Sequence, residues 1–290
     1  MDKSLNEKIV VITGATSGIG LAAARELAGR GAFVVAVGRS EQRCREAAES
    51  IEKECPDAKV MFITADLSSQ RQVRKLVQDI RQIGRVREKG CVDVLINNAG
   101  AFSSWYVSTE EGFELQWAVN HLAPFLLTNG LLPLLKAAPA GRILTVSSGS
   151  HYRTRIHWDD VQLRRSYGCL KAYKQSKLAN VLFTRELNRR LGAGSTVRAF
   201  AVDPGLVNTE MGLKNTTGLA RFVWMRRKDK GAKPEAAASA LVWMAGEPSI
   251  QNREEVYWKN CGPLNPSRYA LRDDAALRLW ELSEKMCGTA

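Results

Sequence analysis

The stretch IVVITGATSGIG, residues 9–20, decides the fold. Its first five residues are all β-branched, which favours an extended chain. The next seven place Gly14, Gly18 and Gly20 where that strand turns into a helix. Glycines at such a turn let the backbone approach a pyrophosphate, and the free N–H groups and dipole of the helix start favour negative charge there. The spacing is G-x-x-x-G-x-G rather than the G-x-G-x-x-G of the commoner dinucleotide fingerprint. Alone, it also fits an ordinary tight turn.

Working outward, Val- and Ile-rich runs alternate with longer helical patterns: FVVAV (33–37), KVMFIT (59–64), VDVLI (92–96), RILTV (142–146) and VRAFAV (197–202). Apolar runs that are continuous rather than alternating imply a parallel sheet covered on both faces, so the expected fold is one doubly wound α/β domain of Rossmann type. Its nucleotide-binding half would span about 1–140 and its catalytic and substrate half about 141–290. Ser40 and Ser68-Ser69 read as helix starts, Gly31 and Gly84 as helix stops. Residues 206–232 lose periodicity and read as a lid. The helix PEAAASALVWMAG, a short apolar patch EVYW and an amphipathic tail DDAALRLWELSEKM follow.

Composition narrows the function classes. The chain has 290 residues, 45% apolar content and a net charge of +12. Its basic residues are dispersed, and their densest cluster, MRRKDK at 225–230, has no nucleic-acid-binding motif around it, so attraction of an anionic cofactor is the better use of the charge. Cys44, Cys55, Cys91, Cys169, Cys261 and Cys287 lie far apart, which indicates neither a disulfide framework nor a zinc site and fits a reducing, cytoplasmic setting. His151 and His157 have no matching carboxylate cluster, so no metal site is expected. The start MDKSLNEK lacks a signal-peptide core. The apolar segment 121–138 is broken by Pro124, Asn129, Gly130 and Lys136 and reads as a buried helix.

The segment YGCLKAYKQSK, 167–177, holds Tyr-x-x-x-Lys twice, as Tyr167 with Lys171 and as Tyr173 with Lys177. After Tyr173 the apolar residues Leu178, Val181, Leu182, Leu187 and Leu191 fit a helix with Gly192 as its stop. The i, i+4 spacing sets Tyr173 and Lys177 on one face. Tyr167 is followed by Gly168, a poor helix-interior residue, so Tyr167 and Lys171 are expected outside the acid/base helix. A free phenol has a pKa of about 10, and a neighbouring ammonium is expected to lower it.

These motifs together resemble the short-chain dehydrogenase/reductase family over nearly the whole chain: TGATSGIG, Asp66-Leu67, NNAG at 97–100, Asn120, Ser148, Tyr173 with Lys177, and Pro204-Gly205 with Thr209. The words SKLANVLFTREL and YWKNC are similar to its retinol-dehydrogenase-like branch. The resemblance implies Tyr173 as acid/base, Lys177 on the nicotinamide ribose, Ser148 on the carbonyl oxygen, and Asn120 holding a water that relays protons. It implies cofactor contacts from Gly14, Thr16, Ser17, Gly18, Ile19, Gly20, Asp66, Leu67, Asn98, Ala99, Gly100, Pro204, Gly205, Val207 and Thr209. Ser147 is expected to be structural.

At the end of the second run, Arg39 with Ser40 and Arg43 stands where an NAD enzyme would carry a carboxylate for the ribose 2′-hydroxyl, which favours NADP(H); Glu41 keeps NAD(H) open. Phe102, Trp105 and Tyr106, with Leu219, Phe222, Val223 and Trp224, suggest a lipophilic carbonyl or alcohol as substrate. The leading reading is an NADP(H)-dependent oxidoreductase. A non-catalytic cofactor-binding or regulatory protein is the alternative. Peripheral membrane contact through Trp224 and the basic cluster is compatible with either, and homo-oligomer formation stays open.

Overall fold

The computed structural model describes residues 5–207 and 231–289. Its strands are β1 (Ile9–Thr13), β2 (Phe33–Gly38), β3 (Lys59–Thr64), β4 (Val94–Asn97), β5 (Gly141–Val146), β6 (Val197–Asp203), β7 (Tyr257–Lys259) and β8 (Gly262–Pro263). They form one sheet in the order β3-β2-β1-β4-β5-β6-β7-β8. All neighbours are parallel except β7 and β8. The described helices are α1 (Gly18–Gly29), α2 (Glu41–Glu54), α3 (Gln70–Gln82), α4 (Gly84–Lys89), α5 (Leu115–Trp117), α6 (Ala123–Lys136), α7 (Cys169–Leu191), α8 (Pro234–Gly246) and α9 (Asp273–Cys287).

Successive strand side chains point to opposite faces, so the continuous apolar runs demand two cores. Ile9, Val11, Val35 and Leu95 pack with Leu76, Phe125, Leu182 and Trp280 on one face. Val10, Ile12, Val34 and Leu144 pack with Ala24, Leu27 and Leu241 on the other. The doubly wound expectation therefore holds, with the chain's reversal between β1 and β4. In open α/β sheets a crevice forms at that switch point, outside the carboxyl ends of the strands. The stretch Leu115–Lys136 has the length and apolarity of a membrane span, but 67% of its most apolar window is buried in the fold. All six cysteines are free thiols.

Local signals held at several ends. Ser40 and Ser69 cap α2 and α3 by accepting from the Arg43 and Gln72 N–H groups. Gly31 (φ +87°) and Gly192 (φ +79°) turn the chain out of α1 and α7 in backbone conformations that favour glycine.

Three expectations need correction. Gly84 opens α4 instead of ending a helix, and Gly90 (φ +71°) is the stop. β4 begins at Val94, because Asp93 spends its carboxylate on the Ile9 N–H (2.7 Å) and the Lys89 Nζ (2.6 Å). α7 begins at Cys169, so Lys171 lies in its first turn while Tyr167 stays outside; that duplicate pair does not share a helical face. The patch EVYW contributes β7, which is too short to stand out as a strand. Of the expected lid, Val207 and Ala232 pair in an isolated parallel bridge and the Ala232 N–H donates to the Leu206 carbonyl at 2.8 Å; residues 208–230, including Thr209, lie outside the described residues.

Candidate active site

At the carboxyl end of β1 the Gly-rich turn is built by close approach. A Cβ on Gly20 would lie 2.1 Å from the Gly14 carbonyl oxygen and 2.6 Å from the Asn98 amide nitrogen, and one on Gly14 (φ +69°) would lie 2.9 Å from the Ala99 Cα. Asn98 Nδ2 donates to the Thr13 carbonyl at 2.8 Å, and the Asn98 and Ala99 N–H groups donate to Thr13 Oγ1 at 3.1 and 3.0 Å. The TGATSGIG and NNAG motifs thus lock together across the switch point. Ser17 precedes α1 without capping it through its side chain. The result is a glycine-lined cradle at an uncapped helix start, which fits a pyrophosphate. Thr16 sits against the end of β2, where a Cβ on Gly38 would fall 2.4 Å from its Cγ2. Gly38 was not singled out in the sequence; its signal was its place directly before Arg39.

Arg39 and Arg43 are exposed, and among the described residues neither side chain has a partner. Glu41 is 3.6 Å from Arg45, so the carboxylate that kept NAD(H) open has its own cation. Asp66 accepts from the Ser68 N–H and Oγ at 2.9 and 2.8 Å, shaping the turn after β3.

The second cluster gathers at the ends of β5 and β6 against α7. The Ser148 hydroxyl stands close enough to Tyr173 to act on its phenol. Lys177, 3% exposed, donates from Nζ to the Val146 carbonyl at 3.0 Å and stands 5.7 Å from the centre of the Tyr173 ring. Ser147 Oγ donates to the Lys177 carbonyl at 2.8 Å, so Ser147 holds the helix, as expected. Asn120 lies in a π-helical turn, Ala118–Leu122, between α5 and α6; such turns interrupt α-helices most often at functional sites. Its amide accepts from the Ala101 N–H (2.7 Å) and donates to the Ala101 carbonyl (3.1 Å) and Ser176 Oγ (2.9 Å). Ser176 Oγ in turn donates to the Tyr173 carbonyl at 2.8 Å. The loop after NNAG is thereby stitched to the helix carrying Tyr173 and Lys177.

The electrostatics differ from the expectation. Burial pushes the Tyr173 phenol up to about 12, opposed by the nearby Ser148 hydroxyl and reinforced by the Asp203 carboxylate. Burial lowers the Lys177 ammonium to about 8, with Asp203 acting against the shift. Proximity of a lysine was expected to lower the phenol, but desolvation penalises both charged forms and dominates here.

Behind Ser148, His151 is fully buried: its Nδ1 donates to the Ser148 carbonyl (2.8 Å) and its Nε2 accepts from the Ser267 N–H (3.0 Å). Those partners specify the neutral Nδ1–H tautomer, and burial lowers its pKa accordingly. His151 is thus a strut for the serine turn, a role its sequence gave no means of reading because Ser267 comes 116 residues later. On the substrate side, Phe102 is buried edge-on to Tyr173, with ring centres 5.7 Å apart. Tyr106 packs edge-on to Tyr167 at the same separation. The Tyr167 hydroxyl accepts from Gln116 Nε2 (2.7 Å) and donates to the Ser103 carbonyl (3.0 Å); Glu114 Oε1 lies 3.2 Å from it. Tyr167 therefore fastens the loop instead of facing the reaction. Trp105 and Leu206 stand exposed on the loops leaving β4 and β6.

Comparison with known proteins places this geometry among relatives. The family model for short chain dehydrogenases matches residues 8–219. Retinol dehydrogenase 14 of Homo sapiens is 36% identical, over 98% of this chain and 87% of its own length. Retinol dehydrogenase 13 of Homo sapiens is 38% identical, over 97% of this chain and 85% of its own. The crystal structure of an uncharacterized protein from Mycobacterium Paratuberculosis is similar with a TM-score of 0.76 and 35% identity, covering 98% of this chain and 95% of that one.

Proposed function

We propose, because the chain belongs to the short chain dehydrogenase family and is an oxidoreductase acting on CH–OH and C=O groups, that it interconverts a lipophilic alcohol and its carbonyl compound with NADP(H). The observation that carries this reading is the convergence of Ser148, Tyr173, Lys177 and Asn120 at the carboxyl ends of β4 and β5, beside a glycine cradle with the shape a dinucleotide requires.

A reduced nicotinamide supplies hydride when bound. The chain's own part is to hold and move a proton. Ser148 donates a hydrogen bond to the carbonyl oxygen and keeps it within reach of the Tyr173 hydroxyl, which gives up its proton as negative charge develops on that oxygen. A phenol pushed up to about 12 is protonated near neutrality, the form that can give its proton to the substrate oxygen. The reverse direction requires phenolate, which burial disfavours until positive charge is added beside it. Lys177, itself lowered by burial to about 8, holds the nicotinamide ribose. The amide of Asn120 is held by Ala101 and Ser176, which fixes it beside the helix that carries Tyr173 and Lys177.

Arg39, with Arg43 near it, pairs with a 2′-phosphate; the exposed guanidinium at the end of β2 supports NADP(H) over NAD(H). Exposed Trp105 and Leu206 at the mouth, and relatives named for retinol, support a lipophilic substrate. The test is NADPH oxidation against lipophilic aldehydes and ketones, retinal among them. Tyr173→Phe should lower turnover by about a thousandfold, within the range a positioned acid supplies, with NADPH affinity nearly intact by calorimetry. Full turnover in this variant would remove Tyr173 from the reaction.

A further inference from the structure

Asp203 is the last residue of β6 and only 4% exposed. The sequence reading treated it as the start of the Asp-Pro-Gly turn, and its Oδ1 does accept the Gly205 N–H at 2.9 Å. Its other oxygen points elsewhere. Oδ2 accepts the Tyr257 hydroxyl at 3.0 Å and lies 3.7 Å from Lys259 Nζ. A Cβ on Gly149, the residue after Ser148, would lie 3.2 Å from the same oxygen. The neighbouring Val202 carbonyl accepts the Ser147 N–H at 2.8 Å, and Val202 pairs in register with Val146, whose carbonyl holds Lys177 Nζ. A nearly water-free carboxylate thus sits at the junction from which Ser148, Tyr173 and Lys177 all project.

We infer that Asp203 is a positioning residue of the reaction, its buried charge setting the protonation balance of the Tyr173–Lys177 pair across the β6–α7 junction. Tyr257 and Lys259 from β7 and Gly149 after Ser148 lie against it, and its charge reaches Tyr173 and Lys177 from α7 and His151 and Tyr152 from the turn after β5. Of these, His151 is held neutral by its two hydrogen bonds, and Lys259 lies on the more exposed side. The carboxylate holds protons on both Tyr173 and Lys177, reinforcing burial at the phenol and opposing it at the ammonium. In a poorly solvated site, a fixed charge of this kind acts with little screening. A Cβ at 149 would press on the carboxylate, which would have to give by a few tenths of an ångström.

The inference rests on the Tyr173–Lys177 reading, so two readouts are needed. The first is an NMR titration of protein carrying ¹³C at lysine Cε, with the Lys177 signal assigned by its absence in Lys177→Met. The unaltered protein should titrate at Lys177 near pH 8, and Asp203→Asn should move that midpoint down by about one unit, the effect of losing a nearby opposite charge. The asparagine keeps the Gly205 N–H through its oxygen and can donate to the Tyr257 oxygen, so a purely turn-forming role predicts no movement. Lys259→Gln, at an outer position that should not impair folding, removes the carboxylate's cationic neighbour and should move the midpoint up. The second readout is the pH profile of retinal reduction with NADPH, whose alkaline fall should shift down with Asp203→Asn. An unmoved Lys177 midpoint in both variants overturns the inference. Inactive Tyr173→Phe beside an unshifted Asp203→Asn profile defeats the role of Asp203 alone, whereas active Tyr173→Phe defeats the underlying reading and leaves the NMR result to judge the field.

Discussion

At residues 13–20 the chain leaves side chains out, whereas at 173–177 it sets two ionisable side chains close together, Lys177 buried and Tyr173 half-buried. Both regions lie at the carboxyl edge of the same parallel sheet. The first depends on backbone approach: Gly20 against the Gly14 carbonyl and the Asn98 amide. The second depends on a balance of burial, hydrogen bonds and one carboxylate: Tyr173 up, Lys177 down, Asp203 acting on both. A steric requirement is local and nearly all-or-none. An electrostatic balance is a sum over groups from distant parts of the chain, and it is graded.

The comparison should first break at the steric end. Gly20→Ala places a methyl group within 2.1 Å of a backbone oxygen, so the turn must move. Overpacking of this kind costs about 1–3 kcal/mol, visible as a lower thermal midpoint. NADPH affinity should fall by more than the hundredfold that about 3 kcal/mol represents, because the cradle itself is displaced. Calorimetric titration showing unaltered affinity would mean the turn is not the phosphate site.

A graded effect is expected where the steric end meets charge. Arg39→Asp leaves the cradle intact but replaces a cation with a carboxylate. The NADPH over NADH preference should fall by at least about tenfold, since a hydrogen bond to a charged group contributes about 1.5–3 kcal/mol, and it should be read as the ratio of the two dissociation constants. An unchanged ratio would remove Arg39 from the 2′-phosphate role.

The smallest effect should come from the rejected half of the duplicate. Tyr167→Phe removes a hydroxyl bonded to Gln116 and the Ser103 carbonyl, at a cost of about 1 kcal/mol in stability. Turnover should stay within about twofold and KM should rise modestly as the loop loosens. A collapse of turnover here, with Tyr173→Phe active, would invert the assignment.

The two regions also differ in how far they could be read from the chain. The β-branched run, the glycines, Ser40 and Ser69 as caps, and the shared helical face of Tyr173 and Lys177 follow from neighbours within a few residues, because strand propensity, capping and the i, i+4 face are local properties. So does the doubly wound architecture, since continuous apolar strands leave no face that water can cover. Gly84 misled for the same local reason: a glycine after a helical run reads as a stop, and only the packing of Val86 into the core shows a second helix beginning there.

What tertiary structure decided is the state of the groups. His151 becomes a strut only because Ser267 arrives to donate to it, and Asp203 becomes more than a turn residue only because Tyr257 and Gly149 close around it. The direction of the Tyr173 shift was misjudged from sequence because a neighbouring lysine is visible in the letters and desolvation is not. Burial depends on every element packed around a side chain, whereas spacing depends on a few consecutive residues; the motif was therefore legible in the chain and its protonation was not.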